Sequence, residues 1–129
     1  FDWDRMLSLE GNTAPYLLYS HARGASLLAR AGKPPDLGAL RTKHPLERTL
    51  LLTAMRTPEA VQAALRSVRP NLLCDHLFEL ANQFNHFYHD FPVLTGGEDR
   101  EARLALVELS RRALRFGLER LGLTVLGRM

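Results

Sequence analysis

Cysteine, lysine and β-branched residues are scarce in this chain of 129 residues, and these shortages exclude or disfavour particular kinds of site and fold. The single cysteine, Cys74, excludes an internal disulfide and any zinc site built on cysteines, and it fits a reducing compartment. No apolar run approaches the roughly 18 residues that a membrane span needs, and we expect no signal peptide. The sequence therefore predicts a cytoplasmic protein with no membrane partner.

The residues that are plentiful favour helices over sheets. Leucine accounts for 26 positions, whereas valine, isoleucine and aromatic residues, the usual material of strands, are few. Hydrophobic residues make up 46% and charged residues 24% of the chain, which is typical of a globular domain and argues against disorder. We therefore predict one all-α domain over residues 1–129.

The basic residues are almost all arginines. Lys33 and Lys43 are the two lysines beside fifteen arginines, and the net charge is +3. The planar guanidinium suits phosphates and base edges better than an ammonium group does. A balance this small is common, however, and does not by itself indicate nucleic-acid binding.

Start and stop signals predict a compact bundle of about five helices. The predicted spans are residues 16–31, a stretch that follows Pro45, a short helix ending near 67, residues 70–89 and residues 100–121. Thr13, Thr57 and Asp99 are the expected N-caps. Gly117 lies inside the last helix, where it costs about 1 kcal/mol relative to alanine, so we expect close helix packing there.

An enzyme active site is not expected within these residues. His86 and His89 are three apart but lack the further carboxylate and histidine spacing of a metal site, so no metal and no catalytic residue is predicted. Gly96-Gly97 lacks the Lys-Ser/Thr that follows in a phosphate-binding loop. Serine and cysteine nucleophile motifs are absent as well.

Two aromatic groups could contact nucleic acid. Tyr16, Tyr19 and Arg23 fall on one helix face, where an unstacked base could lie on a phenol ring while the guanidinium holds a phosphate or base edge. Ordinary core packing is the alternative for a tyrosine pair at this spacing. The second group is Phe84, Phe87, Tyr88 and Phe91. The three phenylalanines share one helix face and are interpreted as core, whereas Tyr88 is expected to present its hydroxyl outward. The arginines at 111, 112 and 115 are interpreted as a solvated face rather than a binding patch.

Several motifs, taken in order, resemble arginyl-tRNA synthetase. They are FDWDRMLS at residues 1–8, EGNTAPYLLY at 10–19, HAR at 21–23, LCDHLFELA at 73–81, FNHFY at 84–88, RLALV at 103–107, GLERLGL at 117–123 and the closing RM at 128–129. The matches cover nearly the whole chain, with residues 32–68 the least distinctive.

The resemblance implies an all-α anticodon-binding domain of the DALR type, found in a class I synthetase that joins arginine to its tRNA through arginyl-adenylate. The ATP and Mg²⁺ of that reaction belong to a catalytic core whose HIGH-like and KMSKS-like motifs are missing here, so this chain is expected to need no cofactor of its own. Residues 1–12 would be the junction from that core. The implied partners are the anticodon stem-loop of arginine tRNA and the catalytic domain, with no role for DNA.

The same resemblance carries over five site residues: Tyr16, Tyr19, Arg23, Tyr88 and Met129. These positions line the anticodon-loop site in the family, and a cytidine edge would be read near the terminal methionine. Leu126-Gly127 departs from the proline and acidic residue that the family often has there, and the glycine is expected to loosen the chain before Met129.

Two other functions are kept as alternatives. A helical protein-interaction module of synthetase ancestry would be expected to lose the Tyr16/Tyr19/Arg23 face or the Met129 end, and neither is lost. The anticodon domain of another class I synthetase, such as the cysteine enzyme, is disfavoured by the EGNT block at residues 10–13 and by the closing Arg128-Met129.

Overall fold

The computed structural model describes residues 2–129, so Phe1, the first residue of the first motif, lies outside the described part. Six α-helices make up most of that part, with no strand among its residues. The helices are α1 (Trp3–Met6), α2 (Ala14–Ala31), α3 (Pro45–Met55), α4 (Thr57–Ser67), α5 (Asn71–Asp90) and α6 (Arg100–Arg120). Short 3-10 helices at Leu37–Ala39 and Gly97–Asp99 lie in the connections.

The all-α bundle predicted from the sequence is confirmed, and its five helices correspond to α2–α6. The one-turn helix α1 was not predicted; it is capped by Asp2, whose carboxylate accepts from the backbone N–H groups of Asp4 and Arg5. Thr13 caps α2 as expected, because its hydroxyl accepts from the N–H of Tyr16.

Of the other two predicted N-caps, Thr57 is wrong, and Asp99 has the predicted position without the capping hydrogen bond. Thr57 is the first residue of α4, and its hydroxyl lies 2.9 Å from Nε2 of His76 instead of capping the helix. Asp99 stands at the N-cap position of α6 in helical backbone geometry and makes no capping hydrogen bond. Its carboxylate pairs with Lys43, 2.7 Å away, and with Arg103. In both cases the side chain bonds to a residue elsewhere in the fold, whereas the sequence pattern predicted a bond to the backbone at the start of its own helix.

Helices α5 and α6 form the centre of the bundle. They pack against each other, and each of them also contacts α2, α3 and α4. The side chains between them are almost fully buried, including Leu77, Phe84, Phe87, Leu114 and Leu118.

A membrane-spanning helix is not found among the described residues, since none combines the required length with enough apolar side chains.

Close approach of the two central helices depends on Gly117. A β-carbon built at this position would lie 2.5 Å from Cδ2 of Leu77, which is itself fully buried on α5. The close packing expected from this glycine is therefore present. Gly24 on α2 faces Phe84 in a similar way, but there a β-carbon would be 3.4 Å from Cζ, an ordinary contact.

We expect Gly117→Ala to destabilise the chain by about 1–3 kcal/mol, because the added methyl overpacks a core that holds Leu77 in place. This loss outweighs the gain of about 1 kcal/mol in helix propensity. The matched control Gly24→Ala should be neutral or slightly stabilising. Urea unfolding measures both changes, and equal stability of the two variants would show that α5 and α6 do not need the glycine.

A buried ion pair fastens the start of α3 to α6. Glu47 is 3% exposed, and its carboxylate accepts from the N–H groups of Lys43 and His44 and from Nε of Arg103 at 3.1 Å. Burial alone would raise the pKa of this carboxyl, but the two N–H donors and the Arg103 guanidinium together hold the pKa below its ordinary value of 4.5. The Arg103 guanidinium also lies over the ring of Phe91, 5.0 Å from its centroid.

Glu47→Gln should lower the free energy of unfolding by about 2–4 kcal/mol at pH 7, since it removes the buried carboxylate that pairs with Arg103 and leaves that guanidinium the longer ion pair with Asp99, at 3.7 Å. Because the pKa of Glu47 is lower in the folded state, its contribution is complete above pH 4.5 and is lost as the pH falls below that value. The difference between wild type and variant should therefore shrink on acidification. Exposed Glu59 gives the control, Glu59→Gln; a wild-type-to-variant difference that did not change with pH would contradict this assignment.

Candidate functional site

A pocket of about 280 Å³ opens where α2, α5 and the chain end meet. It is lined by Tyr19, Ala22, Arg23 and Ser26 of α2, by Tyr88 of α5, and by Arg128 and Met129. None of these lining residues is acidic. Four of the five site residues expected from the resemblance thus lie around one opening; that they bind RNA stays a prediction.

Arg23 occupies the middle of the pocket wall. Its guanidinium carbon lies 4.7 Å from the ring centroid of Tyr19 and 4.7 Å from that of Tyr88. The guanidinium donates to the hydroxyl of Tyr19 at 2.7 Å and to Oδ1 of Asn85 at 2.9 Å. These two bonds use two of its five N–H donors, so the group is fixed in place and still has donors to offer a ligand.

Asn85 is the residue that holds this arrangement together, and the sequence reasoning did not single it out. Its Oδ1 accepts from Arg23, while its amide donates to the hydroxyl of Tyr16 at 3.0 Å and to that of Ser20 at 2.9 Å. An amide side chain is suited to this position because it can donate and accept at once. Asn82 and Asn85, spaced by three on α5 beside the aromatic positions 84 and 88, were the signal that could have pointed to it.

Tyr16 is separated from the pocket and does not line it. Its half-buried hydroxyl donates to Asn82 at 2.7 Å and accepts from Asn85, and its ring packs edge-on against Phe78 with centroids 5.7 Å apart. The structure therefore places Tyr16 behind Arg23, as a support for the residues that line the opening, and brings its hydroxyl into their network.

The residues after α6 reach the pocket by turning back along the bundle. Gly122 has a φ of +78°, a conformation that glycine adopts readily, and the N–H of Leu123 returns to the carbonyl of Leu118. The segment 122–129, called the tail below, then packs Leu123 and Val125 against the core. Its last two residues are exposed and line the pocket.

Positive charge is distributed unevenly around the opening. Arg30 donates to the hydroxyl of Tyr88 at 3.2 Å, so its guanidinium lies on the pocket side. By contrast, Arg111 and Arg112 both bind the buried carboxylate of Glu108. Burial would raise the pKa of Glu108, but the hydrogen bonds and charges of these two arginines keep the pKa below its ordinary value. Glu108 offsets one of these two positive charges, and Arg115 pairs separately with Glu119 at 2.8 Å, so the arginines of this cluster are engaged within α6.

The histidines predicted to lie at a polar helix edge are exposed. His89 is 3.0 Å from the carboxylate of Asp90, and His86 lies on the same exposed side of α5. Within residues 2–129 there is no group of three or more histidine, cysteine, aspartate or glutamate side chains that could hold a metal ion.

The supporting role of Tyr16 predicts a difference between two tyrosine variants. Tyr16→Phe should lower the free energy of unfolding by about 1–2 kcal/mol, because half-buried Asn82 loses the hydroxyl that donates to it and Asn85 loses one of its two acceptors, keeping its bonds to Ser20 and Arg23. Tyr88→Phe removes only an exposed contact with Arg30 and should change stability by less than about 0.5 kcal/mol. Chemical unfolding compares the two; a larger loss for Tyr88→Phe would show that the network is centred elsewhere.

Comparison with known proteins is consistent with this geometry. Residues 17–129 match the family described as the DALR anticodon binding domain. Along its whole length the chain is 42% identical to an arginine–tRNA ligase of Aliivibrio fischeri and 40% identical to one of Haemophilus ducreyi. It spans 23% and 24% of those two proteins, less than a quarter of their length.

Solved structures show the same fold. An arginyl-tRNA synthetase of Thermus thermophilus superimposes with a TM-score of 0.85 at 39% identity, over 95% of this chain and 22% of that one. An arginyl-tRNA synthetase of Plasmodium falciparum gives 0.86 over the whole chain and 23% of its own; at 24% identity this likeness concerns the fold alone.

Proposed function

Because the chain belongs to the DALR anticodon binding domain family, we propose that it binds the anticodon stem-loop of arginine tRNA at the pocket between α2, α5 and the tail. The observation that carries the proposal is the meeting of Tyr19, Arg23, Tyr88 and Met129 at one opening. They come from three parts of the chain that are distant in sequence, α2, α5 and the tail, and their convergence supplies aromatic surface, hydrogen-bond donors and positive charge together.

The chemistry of the pocket suits an unstacked base beside a phosphate. The ring of Tyr19 is 42% exposed and offers surface for stacking, and each base stacked on an aromatic ring contributes roughly 1–3 kcal/mol. Arg23 covers one region of that ring, so we propose that a base stacks beside the guanidinium and accepts from its remaining N–H groups. Backbone groups near Met129 would read the edge of the cytosine that every arginine anticodon has in its middle position.

Flanking arginines would attract the phosphate backbone. Arg30 and Arg128 lie beside the pocket, and neither is paired with a carboxylate in the part of the chain that the structure describes. Such contacts set the register of an RNA without reading its sequence. They also make affinity fall with rising salt concentration.

In the whole ligase, we propose that this domain holds the anticodon while a catalytic region attaches arginine to the distant acceptor end. ATP and Mg²⁺ would serve that region, with no part for the residues described here. Residues 1–12 would form the junction between the two, and the partner of this chain would be the catalytic domain itself. The location proposed for the ligase is the cytoplasm.

Arg23→Ala should weaken binding of an arginine anticodon stem-loop by about tenfold or more, because a charge-assisted hydrogen bond contributes roughly 1.5–3 kcal/mol. Fluorescence anisotropy with a labelled stem-loop, repeated over a range of salt concentrations, measures the loss. The salt dependence should also become shallower, by about one phosphate contact if Arg23 binds phosphate. Arg66→Ala is the control, since Arg66 is exposed on α4, a helix that does not contact α2.

A stem-loop whose middle base is changed from C to U tests the reading of the anticodon. Wild type should prefer the cytosine loop. Equal binding of both loops would overturn anticodon recognition, and unchanged affinity in Arg23→Ala at low and high salt would remove Arg23 from the site. Absence of binding by wild type would favour the alternative of a protein-interaction module.

A further inference from the structure

His21 is a buried histidine to which the proposed function assigns no part. It lies on α2, on the side that faces α6 and the tail, and is 2% exposed. Its Nδ1 is 3.2 Å from the carbonyl oxygen of Leu126, and its Nε2 is 3.5 Å from Nη1 of Arg111. A buried polar ring between two polar groups from distant parts of the chain requires that its hydrogen bonds be satisfied.

These two neighbours determine the protonation of the ring. A carbonyl oxygen only accepts, so the bond to Leu126 requires a proton on Nδ1. A guanidinium only donates, so Nε2 must present its lone pair to Arg111. His21 is therefore a neutral imidazole protonated at Nδ1. Burial lowers the pKa of His21 below its ordinary value of 6.5. The bond to the Leu126 carbonyl and the charge of Glu108 oppose this shift, the charges of Arg111 and Arg115 add to it, and the pKa stays lowered.

The side of the ring opposite the tail is firmly held. Arg111 donates to both oxygens of Glu108, through Nε at 2.8 Å and Nη2 at 3.0 Å, and Glu108 is itself 6% exposed. Such a two-point pair fixes the plane of the guanidinium. The series Glu108, Arg111, His21 thus connects α6 through α2 to the tail.

Apart from the packing of Leu123 and Val125 against the core, little else holds the tail. Over residues 2–129, the bond from His21 is the one hydrogen bond of the structure that reaches residues 124–129. Beyond Leu126 the chain has no buried side chain, and a β-carbon at Gly127 would have nothing within 4 Å. The position of Met129 at the pocket therefore depends on where Leu126 is fixed.

We propose that His21 is a positioning residue for RNA recognition: its Nδ1–H fixes the Leu126 carbonyl and so holds Arg128 and Met129 at the pocket wall. The role rests on the proposed function, because the tail matters only if an RNA meets it there. His21 touches no ligand in this scheme. It acts through the backbone of the tail, three residues before Met129.

The hydrogen bond between His21 and the Leu126 carbonyl is tested on the 129-residue chain without RNA. Nitrogen-15 NMR of the imidazole should show the Nδ1-protonated form, which is the minor one for free histidine, and an Nε2-protonated ring would overturn the proposal. Heteronuclear relaxation should show residues 126–129 as ordered in wild type. In His21→Leu the same residues should become mobile while α2–α6 stay rigid.

His21→Asn supplies the rescue that a merely structural role would not predict. The amide nitrogen of asparagine stands close to the position of Nδ1 and can donate to the Leu126 carbonyl, although it loses the contact with Arg111. We expect order in the tail to return in this variant even where its stability is no better than that of His21→Leu. Leu126→Ala keeps the carbonyl and removes only an exposed side chain, so it should leave the tail ordered.

Stem-loop binding then tests the consequence. His21→Leu should bind the cytosine-containing loop about fivefold more weakly, the effect of losing one hydrogen bond, and should discriminate less against the uracil loop. His21→Asn should recover most of the affinity and the discrimination. A mobile tail with unchanged affinity in His21→Leu would overturn the positioning role. If wild type binds no stem-loop, the proposed function fails, and the role of His21 in RNA recognition fails with it. The tautomer and relaxation results still decide separately whether His21 holds the tail through the Leu126 carbonyl.

Discussion

The close packing of α5 on α6 is the constraint on which the rest of the structure depends. The other three long helices pack onto this pair, and the pair can approach only because Gly117 leaves room for Leu77. Interiors are packed as densely as organic crystals, so an added methyl at such a point displaces both helices instead of filling a gap. The pocket inherits this rigidity, since Tyr88 and Asn85 project from α5 and the tail begins where α6 ends.

A polar layer lies between the apolar core and the pocket. Asn85 joins α5 to α2 through Tyr16, Ser20 and Arg23, and His21 joins α2 to the tail. In the low dielectric of a half-buried layer such bonds strengthen one another, and an unpaired member is costly. The layer therefore specifies one arrangement of the lining residues. Apolar packing alone would tolerate several arrangements of these residues.

Sequence reasoning succeeded where the signal is local and failed where it is tertiary. Thr13 and the predicted span 16–31 match α2 closely, because capping and helix propensity act within a few residues. Thr57 was misassigned because a distant histidine competes for its hydroxyl, and a single sequence carries no trace of that pairing.

The pocket shows the same limit. The resemblance brought Tyr19, Arg23, Tyr88 and Met129 into consideration, and the structure places them together. It did not separate Tyr16 from the lining residues, it included His21 in the HAR motif without giving it a role, and it did not point to Glu108. Those two are polar residues in buried positions, where the chemistry that justifies them comes from a neighbour ninety residues away or from the next turn of the helix.

The guanidinium of Arg23 has a further consequence for the kinetics of recognition. Held by Tyr19, Tyr88 and Asn85 before any ligand arrives, it has already lost the rotamer freedom that a mobile arginine would give up on binding, a cost of about 0.5–1.5 kcal/mol. For the proposed RNA ligand, such a preset wall would need no rearrangement of the protein, so encounter would be governed by diffusion and charge. Discrimination between a correct and an incorrect loop would then reside in how long each stays bound.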